Sequence, residues 1–425
     1  MKKDKIKILW IVSFPLPAVS HLIGGKKIPF GGWVTTMLNE LKSVGEFDIY
    51  VAMKSPVDSL KKENIDNITY FLLPQSKSDR FDVYQKDCDY VLDTIKPDIL
   101  HAEGTEGTHT YRFLSTFKGK NIVSMQGILN GYEPYEYGHL PVADMIATLS
   151  GQSALMSIAL IANKMLFFKK RVKKEIKTIK LAQNILGRTT WDRAHSYAIN
   201  PQAKYYLCYR ILREPFYHTK WDINKIKRHT IFIGNSFQPR KGAHIVFQAV
   251  AQLKNQYPDI QIIIAGEKPQ RQSIKEWKKI IGYPAYLQNL AKKLDIQSHI
   301  QYTGVLQANQ MAEKMAQSHL CVLSSIIENS PNTLGEAMIM GVPAISAYVG
   351  GASDMAIDGK EALFYRDDDP MLLAFAIKRV FDDDNLALSL SVNAKARAAQ
   401  THDPKANRQR MIDAYKDVFL KDRDE

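Results

Sequence analysis

The sequence predicts an α/β protein built from two doubly wound domains that face each other across a cleft. Three observations predict this class. Short apolar runs alternate with longer helical patterns through most of the 425 residues. The runs form two series of similar length, one in each half of the chain. A charged segment without clear periodicity, Leu212 to His229, separates the two series, and we expect the interdomain link there.

Each predicted element follows from its own pattern. The apolar runs predict strands at Ile6–Ser13, Phe47–Met53, Thr69–Leu73, Ile99–Ala102 and Asn121–Met125, and then at Thr230–Ile233, Ile260–Ala265, Ile300–Thr303, Leu320–Ser324 and Val342–Ile345. Helical spacing predicts helices at Trp33–Val44, Asp82–Ile95, His244–Gln256, Gln307–Ser318 and Asn332–Met340. The tail from Met371 is helical in pattern, and Pro404 begins a final amphipathic helix. These elements predict an N-terminal domain over 1–215, a C-terminal domain over 216–400, and a helix over 401–425 that packs back on the N-terminal domain.

Composition limits the class of protein and of partner. With 45% apolar and 24% charged residues, the chain has the composition of a globular protein, which excludes general disorder. It carries 57 Lys and Arg against 44 Asp and Glu, a net charge of +13. This excess predicts an anionic partner.

Much of the excess charge lies in one segment. Between Lys164 and Arg188 there are nine cationic side chains and a single acidic one, Glu175. A nucleic-acid binder more often spreads its cations along a groove together with stacking aromatic residues, so we predict no nucleic-acid partner. Apolar residues recur at intervals of three and four from Leu155 to Ile179, which predicts one or two amphipathic helices. Residues 153–180 therefore fit either docking on an anionic membrane surface or a core helix with a solvated outer face, and the sequence leaves both open.

Other features argue against a disulfide framework, a metal site and a membrane span. The three cysteines, Cys88, Cys208 and Cys321, are far apart and have no CxxC spacing, which is typical of a protein of the reducing cytosol. The apolar run from Ile8 to Phe14 is short and ends at Pro15, so we interpret it as a strand rather than a signal peptide. We predict a cytoplasmic protein without a metal or other cofactor.

The segment from Ile326 to Ile345 carries the most chemical information. It follows one predicted strand and precedes another, so its helix begins at the carboxyl edge of a parallel sheet. With Ser330 as the N-cap and Pro331 at the first helical position, the backbone N–H groups near Asn332, Thr333 and Leu334 would be free to bind phosphate. Asn332 and Glu336 are four residues apart and share one helix face. While the helix start holds a diphosphate, the Glu336 carboxylate could accept hydrogen bonds from both hydroxyls of the attached ribose.

These residues resemble a known family. Glu328 and Glu336 reproduce the E-x7-E spacing of the retaining glycosyltransferases of family 4, which have the two-Rossmann-domain fold called GT-B. The GEAM-x-x-GVP helix, the Gly350-Gly351 pair, the sequence QYTGVL at 301–306 and the Lys241-Gly242 pair agree with it. The resemblance covers most of residues 230–400.

The resemblance implies a role for each matching residue. Glu336 would bind the nucleotide ribose, Glu328 would contact the donor sugar, and Lys241 would neutralise the departing diphosphate. The predicted donor-binding residues are Gly31, Gly32, Asn235, Arg240, Lys241, Gly304, Val305, Asn332, Thr333, Leu334 and Glu336. Glu328, Lys241 and Gln126 are the predicted catalytic residues, and His101 and Glu103 the predicted acceptor-side residues.

Two positions depart from the family pattern. Asn235 stands where an arginine is common, and we expect Arg240, next to Lys241, to supply that charge. Gln126 stands where a histidine is common, and glutamine can hydrogen-bond a sugar hydroxyl but cannot carry a proton. His101 would partly replace that histidine, although a single histidine at a strand end is more often structural.

The sequence therefore predicts a retaining, metal-independent glycosyltransferase. Its N-terminal domain would bind the acceptor, and its C-terminal domain would bind a nucleotide-diphosphate sugar, which we expect to be a UDP-sugar. The acceptor would be a glycan or a polyprenyl-linked glycan of a bacterial surface polysaccharide, reached at the inner membrane face. Two alternatives remain at this point: a nucleotide-sugar epimerase of the same fold, and a catalytically silent partner subunit that binds nucleotide or membrane.

Overall fold

The structure is a computed structural model that describes residues 5–25, 31–147, 152–234, 237–268 and 282–420. The chain divides into two compact units. Unit 1 comprises the described residues of 1–131, 168–211 and 402–425, and unit 2 those of 132–167 and 212–401. The link predicted at 212–229 thus begins where unit 2 takes over from unit 1. Residues 132–167, which the sequence assigned to the N-terminal domain, group with unit 2 instead. The reason is apolar packing, because Tyr135, Tyr137 and Leu140 lie against the hydrophobic core of unit 2.

In unit 1, the described strands form one sheet with the order β3-β4-β2-β1-β5-β6-β7-β8. All neighbours are parallel except β3 and β4. The strands are β1 Ile6–Val12, β2 Phe47–Ser55, β3 Lys61–Ile65, β4 Ile68–Pro74, β5 Ile99–Glu103, β6 Lys120–Ser124, β7 Asn184–Gly187 and β8 Lys204–Leu207. Successive crossovers change direction between β1 and β5, which is the point where sheets of this kind bind ligands.

In unit 2, the described strands form a second, fully parallel sheet with the order β11-β10-β9-β12-β13-β14. They are β9 Lys227–Ile233, β10 Gln261–Ile264, β11 Ile300–Tyr302, β12 Ser318–Leu323, β13 Ala344–Ala347 and β14 Leu363–Tyr365. Here the direction changes between β9 and β12. The apolar runs that predict these central strands are buried on both faces, as expected for a sheet covered by helices on each side.

Helices connect the strands. They are α1 Gly32–Val44, α2 Gln85–Ile95, α3 Thr108–Thr116, α4 Leu129–Tyr132, α5 Val142–Ala147, α6 Gln152–Leu181, α7 Thr190–Ile199, α8 Glu214–His218, α9 Ala243–Leu253, α10 Tyr283–Lys293, α11 Ala308–Ala316, α12 Asn332–Met340, α13 Pro370–Asp382, α14 Asp384–Thr401 and α15 Pro404–Leu420. The basic segment forms the single long helix α6. The last helix, α15, belongs to unit 1, where the Tyr415 hydroxyl lies 2.6 Å from Nδ1 of His101.

None of the helices in the described parts of the chain is both long enough and apolar enough to cross a membrane. The three cysteines are buried free thiols.

Candidate functional site

Two loops of unit 2, which follow β9 and β12, interlock at the carboxyl edge of the sheet. The Ile326 N–H donates to the Arg240 carbonyl at 2.8 Å, and the Ser324 hydroxyl donates to the Lys241 carbonyl at 2.8 Å. Gly242 has a φ of +67°, and a Cβ at this position would lie 1.8 Å from the Ser324 carbonyl oxygen. Only glycine fits there, so the Lys-Gly pair fixes the position of Lys241 beside the second loop.

The interlocked loops bring two predicted catalytic residues into contact. The Lys241 ammonium forms an ion pair with Glu328, and the Ser325 hydroxyl donates to the same carboxylate oxygen at 2.9 Å. Burial would favour the neutral acid, but the charges of Lys241 and Arg240 and these hydrogen bonds hold the pKa of Glu328 below its usual value. Glu328 is therefore an anion, and Lys241 is a cation held at the edge of the sheet.

The backbone at Glu328 is fixed by the predicted glycine pair. The Gly351 N–H donates to the Glu328 carbonyl at 3.0 Å. Gly350 has a φ of +50°, and a Cβ there would lie 1.9 Å from the same carbonyl oxygen. On its other side, the Asn329 N–H donates to the Tyr132 hydroxyl at 3.1 Å. The main chain of Glu328 is thus held in place from both sides, and its side chain is paired with Lys241.

Glu336, the predicted ribose ligand, has an intramolecular partner that sequence reasoning missed. Its carboxylate is 2% exposed on α12, and Arg213 donates to both oxygens, from Nε at 2.7 Å and from an Nη at 2.8 Å. Burial raises the pKa of Glu336, and the Arg213 guanidinium opposes that shift. A carboxylate has about four acceptor positions, so the two-pronged contact leaves room for ribose hydroxyls. Arg213 lies in the segment predicted as a linker, and no periodic pattern marks it.

Helix α12 has the predicted bounds, Asn332–Met340, but its N-cap lies one residue later than predicted. Pro331, not Ser330, is the N-cap, with an extended ψ of 114° and no side-chain cap. The Pro331 carbonyl starts the helical ladder and accepts from the Leu334 N–H at 3.1 Å, so the prediction that this N–H is free is wrong. Among the described residues, the N–H groups of Asn332 and Thr333 meet no acceptor. Two free amides at a helix N-terminus remain available to an anion.

Three donor-site predictions of unit 2 remain: Gly304, Val305 and Asn235. Gly234, which directly follows β9 and precedes Asn235, lies close to Thr333, since a Cβ at Gly234 would be 3.7 Å from the Thr333 hydroxyl oxygen. Gly304 follows β11 with a φ of +75°, and Val305 beside it is 61% exposed. Asn235 lies outside the described residues.

Arg240, the expected additional cation, is already engaged within unit 2. Its guanidinium lies 5.1 Å from the centre of the Tyr132 ring. Its Nε donates to the Gln238 amide oxygen at 3.0 Å and lies 3.9 Å from Glu136. These contacts hold the Arg240 side chain against Tyr132 and Glu136.

The predicted residues of unit 1 form a separate polar network at the ends of β5 and β6. The Gln126 amide donates to the Glu103 carboxylate at 3.0 Å, and Arg210 donates to the same oxygen at 2.5 Å. His101 is fully buried, and its ring nitrogens contact Tyr415 and Ser124 at 2.6 and 2.7 Å. These contacts give His101 a supporting position behind Glu103 rather than a surface that an acceptor could touch.

The glycine-rich loop of unit 1 precedes α1. Gly31 has a φ of +78° and caps this helix, and a Cβ there would lie 2.3 Å from the Phe14 ring. Gly32 is the first residue of the helix. No group of three or more His, Cys, Asp or Glu in the described parts of either unit is arranged to hold a metal ion.

The family match lies within unit 2 of the chain. Residues 214–397 match the family model of glycosyl transferases group 1. The match covers less than half of the chain and contains β9 to β14 together with the Lys241, Glu328 and Glu336 site. Among curated relatives, D-inositol 3-phosphate glycosyltransferase of Corynebacterium urealyticum is 25% identical over 171 residues, which are 40% of this chain and 38% of that protein. The chain thus matches about two-fifths of that relative's length.

A second curated relative comes from Campylobacter jejuni. It is named GalNAc-alpha-(1->4)-GalNAc-alpha-(1->3)-diNAcBac-PP-undecaprenol alpha-1,4-N-acetyl-D-galactosaminyltransferase. It is 30% identical over 169 residues, covering 39% of this chain and 42% of that protein.

Solved structures resemble the whole chain. Sucrose-phosphate synthase of Thermosynechococcus elongatus has a TM-score of 0.73 at 14% identity, covering 98% of this chain and all of that one. HepE of Anabaena in complex with UDP-glucose has a TM-score of 0.67 at 14% identity, covering 97% and 99%. The fold is GT-B, as the sequence predicted.

Proposed function

We propose that the protein is a retaining glycosyltransferase that moves a sugar from a nucleotide-diphosphate donor to a hydroxyl of a glycan. One observation carries the proposal: Lys241, Glu328, the two free amides of α12 and Glu336 lie in the loops and the helix that follow β9 and β12, the two strands of the unit 2 switch point. This is where parallel sheets bind nucleotides. The group also lies within the residues that match the glycosyl transferase family model.

In this proposal each group acts on a different part of the donor. Departure of a nucleoside diphosphate builds negative charge, which the Lys241 ammonium and the amides of Asn332 and Thr333 stabilise. Glu336 accepts hydrogen bonds from the ribose, and Arg213 holds its carboxylate in position. As Lys241 turns to the diphosphate, Glu328 is released to accept a hydroxyl of the donor sugar. Because protein groups supply this charge stabilisation, the proposal needs no metal ion.

We propose that the anomeric configuration of the donor sugar is retained because the acceptor hydroxyl attacks from the same face that the diphosphate leaves. The acceptor oxygen bonds to the anomeric carbon as the bond from that carbon to the diphosphate oxygen breaks. The acceptor proton passes to the departing diphosphate, so no strong protein base is required. Gln126, which cannot carry a proton, is compatible with this route as a hydrogen-bonding residue.

For the donor and acceptor, we propose a UDP-sugar and a polyprenyl-linked glycan of surface polysaccharide synthesis. The HepE complex with UDP-glucose supports the donor class because that structure shares this fold. The name of the Campylobacter jejuni relative specifies an acceptor on undecaprenyl diphosphate, which supports the acceptor class. The protein would then work in the cytoplasm at the inner membrane face.

The exposed surface of α6 supports that location. The first half of the helix exposes large apolar side chains, with Leu155 68%, Ile158 48% and Leu166 62% exposed. The second half exposes lysines, including Lys169, Lys173 and Lys177. Apolar side chains followed by cations on one helix suit an interface with anionic lipids.

Vesicle sedimentation tests this contact. We expect the protein to sediment with vesicles of phosphatidylglycerol and phosphatidylcholine at low salt, and the double variant Leu155→Ser/Leu166→Ser to remain in the supernatant. Leu388→Ser, at an exposed leucine of α14, is the matched control and should sediment like the wild type. Equal sedimentation of all three proteins would contradict the assignment.

A panel of nucleotide sugars tests the donor assignment. We expect one UDP-sugar to raise the thermal midpoint and to be hydrolysed slowly to UDP and free sugar in the absence of acceptor. Glu336→Gln should retain its fold and lose at least 100-fold in hydrolysis, equivalent to about 2.7 kcal/mol of transition-state stabilisation. Absence of any nucleotide response would contradict the proposal, and release of an epimer would identify a different reaction.

A further inference from the structure

Unit 1 contains a small cavity at the switch point of its own sheet. It is about 20 Å³ in volume, and its lining includes Trp10 of β1, Glu103 at the end of β5 and Ser124 at the end of β6. Arg188 and Cys208, which directly follow β7 and β8, complete this side of the lining. Five neighbouring strands therefore supply groups to one point at the carboxyl edge of a parallel sheet, where such folds bind ligands.

Arg188 is the unusual member of the lining. It is only 6% exposed, yet its guanidinium makes no hydrogen bond or ion pair within 4 Å with any described residue. A guanidinium has five N–H donors and is seldom buried without acceptors. Asp192, the nearest acidic residue in sequence, accepts instead from the Arg188 backbone N–H at 2.9 Å and from the Tyr205 hydroxyl at 2.6 Å.

The rest of the lining has more donors than acceptors. The Trp33 indole N–H is buried and, among the described residues, has no acceptor. Arg210 lies 5.3 Å from the centre of the Trp33 ring and uses one nitrogen on Glu103. Glu103 is the one carboxylate of the lining in the described chain, and it already accepts from Arg210, Gln126 and His101. The acceptor positions of Glu103 are thus used by its own partners, and the Arg188 guanidinium stays without a hydrogen bond to any described residue.

We propose that this cavity binds an oxyanion, a carboxylate or phosphate group carried by the acceptor. The flat fork of Arg188 matches two oxygens of either group, and the Trp33 indole supplies a further donor. The charges of Asp192 and Glu103 already act on Arg188, so a bound oxyanion supplies acceptors for the guanidinium fork rather than a missing charge. A neutral sugar hydroxyl fits less well, because each hydroxyl also brings a donor that would need an acceptor. Assigning the anion to the acceptor rests on the proposed function, whereas anion binding itself does not.

Isothermal titration of the full-length protein tests the site directly. Sodium glucuronate probes the carboxylate and inorganic phosphate the phosphate, while glucose at constant ionic strength is the neutral control. We expect at least one of the two anions, but not glucose, to bind. Arg188→Gln should weaken that binding about 10- to 100-fold, because it removes charged hydrogen bonds to a buried group. Arg193→Gln removes the same charge from an exposed position of α7 and should bind like the wild type.

The same samples separate this proposal from the proposed function. UDP titrated into Arg188→Gln should bind as it does to the wild type, because its site is in unit 2, and this also shows that the variant is folded. If Arg188→Gln does not fold, Arg188→Lys keeps the charge without the fork and should still bind the anion more weakly. Wild-type protein that binds UDP but neither anion would overturn the anion site alone. Binding of the anion without UDP would overturn the proposed function alone. Equal anion affinity in wild type, Arg188→Gln and Arg193→Gln would also overturn the site.

Discussion

Replacing Arg213 by glutamine would leave the Glu336 carboxylate buried without its counter-charge. In the wild type, two hydrogen bonds of 2.7 and 2.8 Å join these side chains, and the Glu336 side chain is 2% exposed. Removing one partner of a buried ion pair costs about 3–5 kcal/mol. Since the Arg213 side chain is 21% exposed, we expect the lower end of this range, about 3 kcal/mol at pH 7.

The stability lost by Arg213→Gln should depend on pH, and the pKa of Glu336 decides whether the loss grows or shrinks as pH rises. Burial already raises the pKa of this carboxyl in the folded protein, and loss of Arg213 raises it further. The folded variant then binds a proton that the unfolded chain releases above pH 4.5, so the variant loses stability as pH rises. Taking up that proton limits the penalty to about 1.4 kcal/mol for each pH unit above 4.5, which is at most about 3.5 kcal/mol at pH 7 and about 0.7 kcal/mol at pH 5.

Urea unfolding at both pH values measures this difference. We expect Arg213→Gln to lose about 3 kcal/mol at pH 7 and much less at pH 5. The double variant Arg213→Gln/Glu336→Gln replaces both charges by amides and should recover most of the loss, because no buried charge remains. A loss that is equal at both pH values, or a double variant whose loss is the sum of the two single losses, would refute the reasoning.

Two further predictions concern the backbone and a buried histidine. Gly242→Ala should destabilise unit 2 by more than about 3 kcal/mol in urea unfolding, because its Cβ would lie 1.8 Å from the Ser324 carbonyl oxygen. Gly359→Ala, at a similar φ of +71° with no atom within 4 Å, should cost only about 1–2 kcal/mol, and equal losses would contradict the steric argument. Burial lowers the pKa of His402 to about 4, so the unfolded chain takes up a proton at this residue as pH falls below 6.5 while the folded protein does not. When the pH is lowered from 7 to 5, the free energy of unfolding of His402→Asn should therefore fall by about 2 kcal/mol less than that of the wild type. The same pH dependence in both proteins would contradict the lowered pKa of His402.

The central strands and the glycine pairs of the site could be predicted because each is marked by neighbouring residues in the sequence. The buried runs of β1 and β9 are apolar because both faces of a parallel sheet are covered, so the central strands are visible in the sequence. β3 was missed because Lys61–Ile65 is polar and lies at a sheet edge, and β7 because its four residues are too short to show a period. The Lys241-Gly242 and Gly350-Gly351 pairs could be recognised because close backbone contacts admit only glycine.

Contacts between distant residues could not be predicted. Arg213 and Glu336 are 123 residues apart, and Arg188 and Glu103 approach the same cavity from different strands. Charged residues in irregular segments have no period that reveals a partner. The N-cap of α12 was misplaced by one residue because Ser330 and Pro331 both suit a helix start, and the extended backbone of Pro331 decides between them.

Titration of UDP into the wild type, Lys241→Gln and Lys254→Gln tests the central claim most directly. Lys241 is the cation paired with Glu328 at the switch point, whereas Lys254 donates to the carbonyls of Leu294 and Asp295 elsewhere in unit 2. We predict that UDP binds to the wild type and to Lys254→Gln with equal affinity, and at least 10-fold more weakly to Lys241→Gln, because a charged contact to the diphosphate is lost. Equal UDP affinity in all three proteins, or no UDP binding to the wild type, would contradict the claim that this edge of unit 2 is the donor site.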